Sequence, residues 1–402
     1  MRKQKTNHVI IVLLCLAACL LIAIFIIKLI EGKGTGVFAG NSESKKLKSS
    51  DIEPFISEFI NEDAFRYAGS MLSGSEKNVY DKLLLGVLLL EKKIDIKEYK
   101  LKVEELRNVY ACLRNDYPEI FWIGNDCEIY YSGKIISDCL PTYLYDKDTI
   151  RMMISDITQV RHRILMDTQG MSEYQRAMYI FEYIIDTTVY DNSAISAHEN
   201  GVEDISIEYA RNLYGTLIKK RAICEGYAKT YQYLAQSMGI DCLYITGISK
   251  NQGHAWNYVK LDGEWYGLDV TWCDPQGSRN IKSYAYCMLD EEAMGAGHES
   301  DVPYKLPECT GKRYNYYTYN GFALASFSKP QLSEIIVKAY SDGLHFVEFR
   351  CGSKQVYESF VKAVNDNTIF ECFEGLRREY GVIVDYLNYG LIEDALVVRM
   401  EL

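Results

Sequence analysis

The chain has little proline, seven residues in 402, and only six histidines. With 28 glycines and 48% hydrophobic content, that scarcity excludes collagen-like repeats and long Pro-rich tracts, and leaves a globular composition. No CxxC pair occurs among the twelve cysteines, so neither a zinc ribbon nor a disulfide framework is indicated. P-loop, GxGxxG, HExxH and GxSxG motifs are also missing, which removes local support for nucleotide, zinc-protease and serine-hydrolase chemistry. Positive charge is the scarcer sign: 44 basic residues face 55 acidic ones, net −11. Four of the basic residues lie in the first thirty positions, which hold no acid, so the rest of the chain carries 40 against 55, net −15. An acidic body lacks the cationic face that a nucleic-acid partner requires.

What the chain does have at its start is a long apolar run. Val9 to Ile27 is nineteen residues without a charge, extended past Lys28 by Leu29 and Ile30. At about 1.5 Å per helical residue this matches a hydrocarbon core roughly 30 Å thick, and residues 9–30 are expected to span a bilayer. Leu16-Ala17-Ala18-Cys19 has the form of a lipoprotein cleavage box, which would anchor the chain at Cys19 instead. Leu20 to Ile27 stays apolar after that cysteine, which favours a retained anchor. Arg2, Lys3 and Lys5 precede the run, the pattern of a signal-anchor with the body outside.

Five regions are expected: a tail and anchor at 1–30, a Gly/Ser/Lys-rich tether at 31–50, a mainly helical region at 51–150, a central domain at 151–325, and a small α/β region at 326–402. Tyr80 to Leu90, Ile96 to Leu113 and Thr149 to Tyr190 carry helical periodicity. Residues 127–145 and the end of the chain (Leu344 to Arg350, Val382 to Leu387, Ala395 to Leu402) read as strands, with a helix from Val356 to Tyr380.

The chemistry concentrates in three stretches: Ala222-Ile223-Cys224-Glu225-Gly226-Tyr227-Ala228, His254-Ala255-Trp256-Asn257, and Trp265-Tyr266-Gly267-Leu268-Asp269-Val270-Thr271-Trp272. After Cys224 the apolar positions fall on one helical face that Gly239 stops, so Cys224 stands at a helix N-terminus, where unpaired N–H groups and the helix dipole favour a thiolate. Asp262-Gly263 separates two strand-like runs and predicts a two-residue hairpin turn. In that register Leu261 faces Glu264, Trp256 faces Asp269 and His254 faces Thr271. His254, Trp256 and Asp269 then share one side of the hairpin. A thiol at a helix start with an oriented imidazole is the general arrangement for cysteine nucleophilic catalysis: Cys224 attacks, His254 moves the proton, Asp269 holds the ring.

These stretches resemble the transglutaminase-like superfamily, in particular bacterial surface members with a Cys-Glu-Gly-Tyr-Ala helix start followed by His-Ala-Trp-Asn and Trp-Tyr-x-Leu-Asp-x-Thr-Trp strands. The resemblance runs from about Tyr190-Asp191 through Asn212-Leu213-Tyr214-Gly215 to Asp274-Pro275. Asp116-Tyr117-Pro118-Glu119-Ile120-Phe121 and Tyr314-Asn315-Tyr316-Tyr317 look like its companions. It implies an α+β fold with a papain-like core, in which a helix bearing the cysteine packs on an antiparallel sheet bearing histidine and aspartate. It also implies Cys224, His254 and Asp269 as the triad and no metal or organic cofactor. The implied chemistry is acyl transfer or hydrolysis of a peptide, protein or cell-wall peptide amide through a thioester on Cys224. A non-catalytic surface binding module that keeps the same fold is the alternative. Trp256 and Tyr214 are the candidate groove residues. The other cysteines of the body, Cys242 among them, read as buried apolar residues, and His162, His198, His298 and His345 as structural or surface residues.

Overall fold

The computed structural model describes residues 48–202, 204–274 and 282–402. The expected membrane span over 9–30, and all of the tether except its last three residues, lie outside the described residues. Among the described residues no helix is long and apolar enough to cross a membrane. The chain is a mixed α/β structure divided into two compact units, Met1–Ala255 with Ser300–Leu306, and Trp256–Glu299 with Pro307–Leu402. The division falls inside the region 151–325 that was expected as one domain.

The first unit begins with helices α1 (Gly74–Leu88) and α2 (Val103–Asp116). The helical periodicity expected from Ile96 is interrupted because Lys100 takes a left-handed conformation, so α2 starts only at Val103. Strands β1 (Ile123–Ser132) and β2 (Ile135–Tyr143) follow as an antiparallel hairpin, and Ile94–Asp95 adds to β2. The region 51–150 is therefore less uniformly helical than expected. Residues 149–190 form two helices rather than one, α3 (Lys147–Asp167) and α4 (Glu173–Thr187), split where Gly170 has φ +82°. Ser172 caps α4, its hydroxyl accepting from the Gln175 N–H.

Asp116-Tyr117-Pro118-Glu119 closes α2 with two buried carboxylates. Asp116 accepts from the Ala68 and Gly69 N–H groups at 2.9 and 2.7 Å and from the Tyr80 hydroxyl at 2.7 Å. Glu119 pairs with Arg66 at 2.8 Å, and the guanidinium stacks on Tyr117. That motif is a structural knot: each buried charge has its partners.

In the second unit, the end of strand β4 (Gln252–Leu261, which begins in the first unit) pairs antiparallel with β5 (Glu264–Leu268). Further on come helix α6 (Lys329–Ser341), strand β6 (Phe346–Cys351), helix α7 (Lys354–Asn365) and strands β7 (Tyr389–Ile392) and β8 (Val397–Glu401). The order Ala323–Leu324, β6, β8, β7 makes a four-stranded sheet. Two expectations are corrected here. The helix expected over Val356 to Tyr380 breaks at Asn367, whose φ is +62°, into α7, a 3-10 turn and a short helix Glu374–Tyr380. The strand expected at Val382 to Leu387 forms instead at Tyr389–Ile392, because β8 offers its pairing edge to those residues.

Candidate active site

The chain reaches Cys224 through a short parallel ladder. Val189–Tyr190 pairs with Arg221–Ala222, Asp191 N–H donates to the Ala222 carbonyl at 2.9 Å, and Arg221 holds Asp191 through two guanidinium nitrogens at 2.9 and 3.0 Å. Those bonds hold the Asp191 carboxyl down at about 2. Ile223, extended, then donates to the Ala210 carbonyl, and its own carbonyl accepts the first helical bond from Tyr227. Helix α5 (Cys224–Ser237) starts at the thiol and ends before Gly239, whose φ of +74° suits the stop, as the sequence predicted. Gly226 is required for this entry: a Cβ there would come within 2.5 Å of the Ala210 carbonyl oxygen. Gln232 and Gln236 bond the Asn115 and Cys242 carbonyls, fixing the helix on α2 and on strand β3 (Cys242–Ser249).

Cys224 is half-buried, and the nine other described cysteines are buried. Burial pushes the thiols of Cys242 and Cys273 well up, which keeps them as inert packing groups. Cys224 packs on a cluster of Ala228, Tyr244 and Ala255. Ala255 directly follows His254 on β4, and His254 is itself half-buried. Beside the thiol, Glu225 accepts from Lys229 at 3.1 Å and lies 3.7 Å from the Arg211 Nε. Burial pushes the Glu225 carboxyl up, but the charges of Lys229, Arg211 and Arg114 outweigh it and hold it at about 2. A small pocket adjoins this cluster among Arg114, Tyr117, Glu208, Arg211, Asn212 and Lys229.

Asp269 belongs to the second unit. The predicted hairpin register holds from Asn257 opposite Leu268 to Leu261 opposite Glu264, around a turn in which Asp262 and Gly263 have φ +49° and +87°. Tyr314, of the trailing tyrosine motif, bonds the Asp262 carboxylate and so braces that turn. The second strand was expected to reach Trp272, but it ends at Leu268. Gly267 exchanges two 2.8 Å bonds with Leu289, and the Asp269 N–H goes to the Tyr286 carbonyl at 3.0 Å. Asp269 therefore stands on a turn, its Oδ1 accepting the Trp272 N–H at 3.0 Å.

The partner that sequence reasoning missed is His298. Its Nε2 lies 2.9 Å from Asp269 Oδ2, with both side chains fully buried. His298 read as structural because no ligand-type residue neighbours it in sequence. No local sequence signal marks it: the residues around its ring, Trp256 and Trp272 at 4.9 Å each, are distant in the chain. Trp256, expected along a groove, is 1% exposed and packs edge-on against that imidazole. Tyr214 is likewise interior, 5% exposed, with its hydroxyl 3.3 Å from Asp156 and its ring against Tyr209.

Residues 164–270 match the transglutaminase-like superfamily. The kyphoscoliosis peptidases of Mus musculus and Homo sapiens are each 25% identical to the chain over 138 residues, 31% of this chain and 18% of theirs. The chain thus spans less than a fifth of the length of these curated relatives. A solved structure described as a TGase aligns over 40% of this chain and 47% of its own, at 17% identity and a TM-score of 0.28. The matched stretch contains Cys224, His254 and Asp269 in that order, so residues 164–270 carry the transglutaminase-like match.

Proposed function

We propose that the protein is a membrane-anchored thiol enzyme acting on peptide, protein or cell-wall peptide amides, with Cys224 as nucleophile, His254 as the proton carrier and Asp269 as the acid that orients it. The observation that carries this reading is the singular state of Cys224. Among the described cysteines it alone is not buried, and it occupies the first residue of a helix, where N–H groups lack intrahelical acceptors.

In the first step the Cys224 sulfur forms a bond to the amide carbon. The C–N bond breaks, and the leaving amine takes the thiol's proton by way of His254. In the second, water or an amine attacks the thioester carbon and gives up a proton to His254, the C–S bond breaks, and His254 passes that proton to the sulfur. The curated relatives are named peptidases, which favours water as acceptor. The apolar run at 9–30 supplies the anchor, and the mass of the mature N-terminus distinguishes it from a lipid on Cys19.

The test needs no substrate. Alkylation of Cys224 by iodoacetamide is followed against pH in the full chain, with His254→Ala beside it. A thiol that reacts well below the ordinary free-cysteine range of about 8.5, and loses that reactivity in the variant, supports a working pair. Cys224→Ala abolishes any activity with the fold intact, whereas Cys242→Ala does not. An ordinary thiol indifferent to His254 favours the binding-module alternative.

A further inference from the structure

We infer that His298 is the positioning residue of the Asp269 carboxylate. This rests on the thiol chemistry proposed above and adds to it a group from outside the matched stretch.

Asp269 has no exposed surface, and a buried carboxylate keeps its charge only against donors. Its two oxygens are served differently. The Trp272 N–H on Oδ1 is a local bond within the turn, available from the backbone of any residue but proline at 272. His298 on Oδ2 comes from 29 residues along the chain, and it ties the direction of the carboxylate to the body of the unit. A carboxylate only accepts, so Nε2 is the donor.

The imidazole is itself immobilised. Nδ1 lies 3.3 Å from the Met294 carbonyl oxygen. The rings of Trp256 and Trp272 flank it at 4.9 Å, and Tyr286 stands at 6.1 Å. A donor that cannot turn fixes the acceptor it serves, and a group acting through geometry must be held within about 0.5 Å of its working position. Asp269, standing on a turn rather than in a strand ladder, needs that external fixing.

Alkylation of Cys224 in the full chain, resolved on the peptide that carries it and followed against pH, tests the role. The chains compared are wild type, His298→Leu, His298→Gln, Asp269→Asn and His254→Ala, each with its melting temperature. Leucine fills the site without a donor. Glutamine places an amide N–H as many bonds from Cα as Nε2. Loss of one hydrogen bond to a charged group predicts roughly 10- to 100-fold slower alkylation at neutral pH in His298→Leu, with the Asp269→Asn profile, and recovery of most of the rate in His298→Gln. A His298→Leu profile equal to wild type, while Asp269→Asn and His254→Ala differ from it, overturns the positioning role and leaves the thiol reading standing. Profiles of Asp269→Asn and His254→Ala equal to wild type overturn the thiol reading and this inference with it. If the His298→Leu chain does not fold, His298→Gln decides: folded but with the Asp269→Asn profile, it also overturns the inference.

Discussion

The Lys229 ammonium lies 3.1 Å from the carboxylate of Glu225, one helical turn away, and Glu225 is the residue next to the candidate nucleophile. With Arg211 3.7 Å from the same carboxylate, a negative charge that would oppose a thiolate at Cys224 is answered on two sides. The Lys229 ammonium pays for its place: burial pulls it down from the ordinary lysine range, and Glu225 restores part of that.

Lys229→Met keeps the packing stem and removes the charge. The Glu225 carboxylate loses its nearest donor, so stability falls by about 1–3 kcal/mol, read as a lower midpoint in urea. Alkylation of Cys224 at neutral pH slows, because the carboxylate beside the thiol is less compensated. An unchanged rate in a destabilised chain would confine the pair to a structural role.

Glu225 also sets part of the acid limb of stability. Its folded value, about 2, lies below the ordinary 4.5. A depressed carboxyl contributes stability that is fully present above the unfolded value and lost as pH falls through the folded one, so the loss runs from about pH 4.5 down to 2. Urea midpoints of wild type and Glu225→Gln, measured from pH 6 to 2, should converge across that window, the difference shrinking by up to about 3 kcal/mol. A constant difference would contradict the shift.

Gly226→Ala puts a methyl group 2.5 Å from the Ala210 carbonyl and 2.8 Å from the Ala222 Cβ. Neither is the flexible tip of a side chain, so the helix start itself must move. The expected cost is about 1–3 kcal/mol. Thiol reactivity should fall further than in a core variant of equal stability, a comparison made at matched melting temperature.

Asp116→Ala leaves the Ala68 and Gly69 N–H groups and the Tyr80 hydroxyl without their shared acceptor. A loss of about 3 kcal/mol or more follows from three donors stranded in the interior. Any chain that remains folded should keep its Cys224 alkylation profile, since this knot braces the fold and takes no part in the thiol chemistry.

The hairpin was legible to the residue because Asp262-Gly263 admits one short turn, and the turn fixes every opposed pair as far as Leu268. The start and stop of α5 were equally plain, since an apolar helical face and a glycine bound it. The end of β5 was not legible: it depends on Leu289 reaching Gly267, a contact between residues distant in sequence. His298 was hidden for the same reason, and the burial of Trp256 and Tyr214 was not legible because an aromatic side chain looks alike in sequence whether it lines a groove or fills a core. Helix interruptions at Lys100 and Asn367 escaped periodicity, which carries no information on single left-handed residues.

The turn that carries Asp269 has a practical corollary for dissecting the protein. A fragment cut at residue 270, where the family match stops, would retain every residue of the expected triad. It would also discard Tyr286, Leu289 and His298, which receive the Asp269 N–H, clasp Gly267 and bond the Asp269 carboxylate. The smallest portable piece of the proposed thiol site is therefore longer than its signature: motif and working part have different ends.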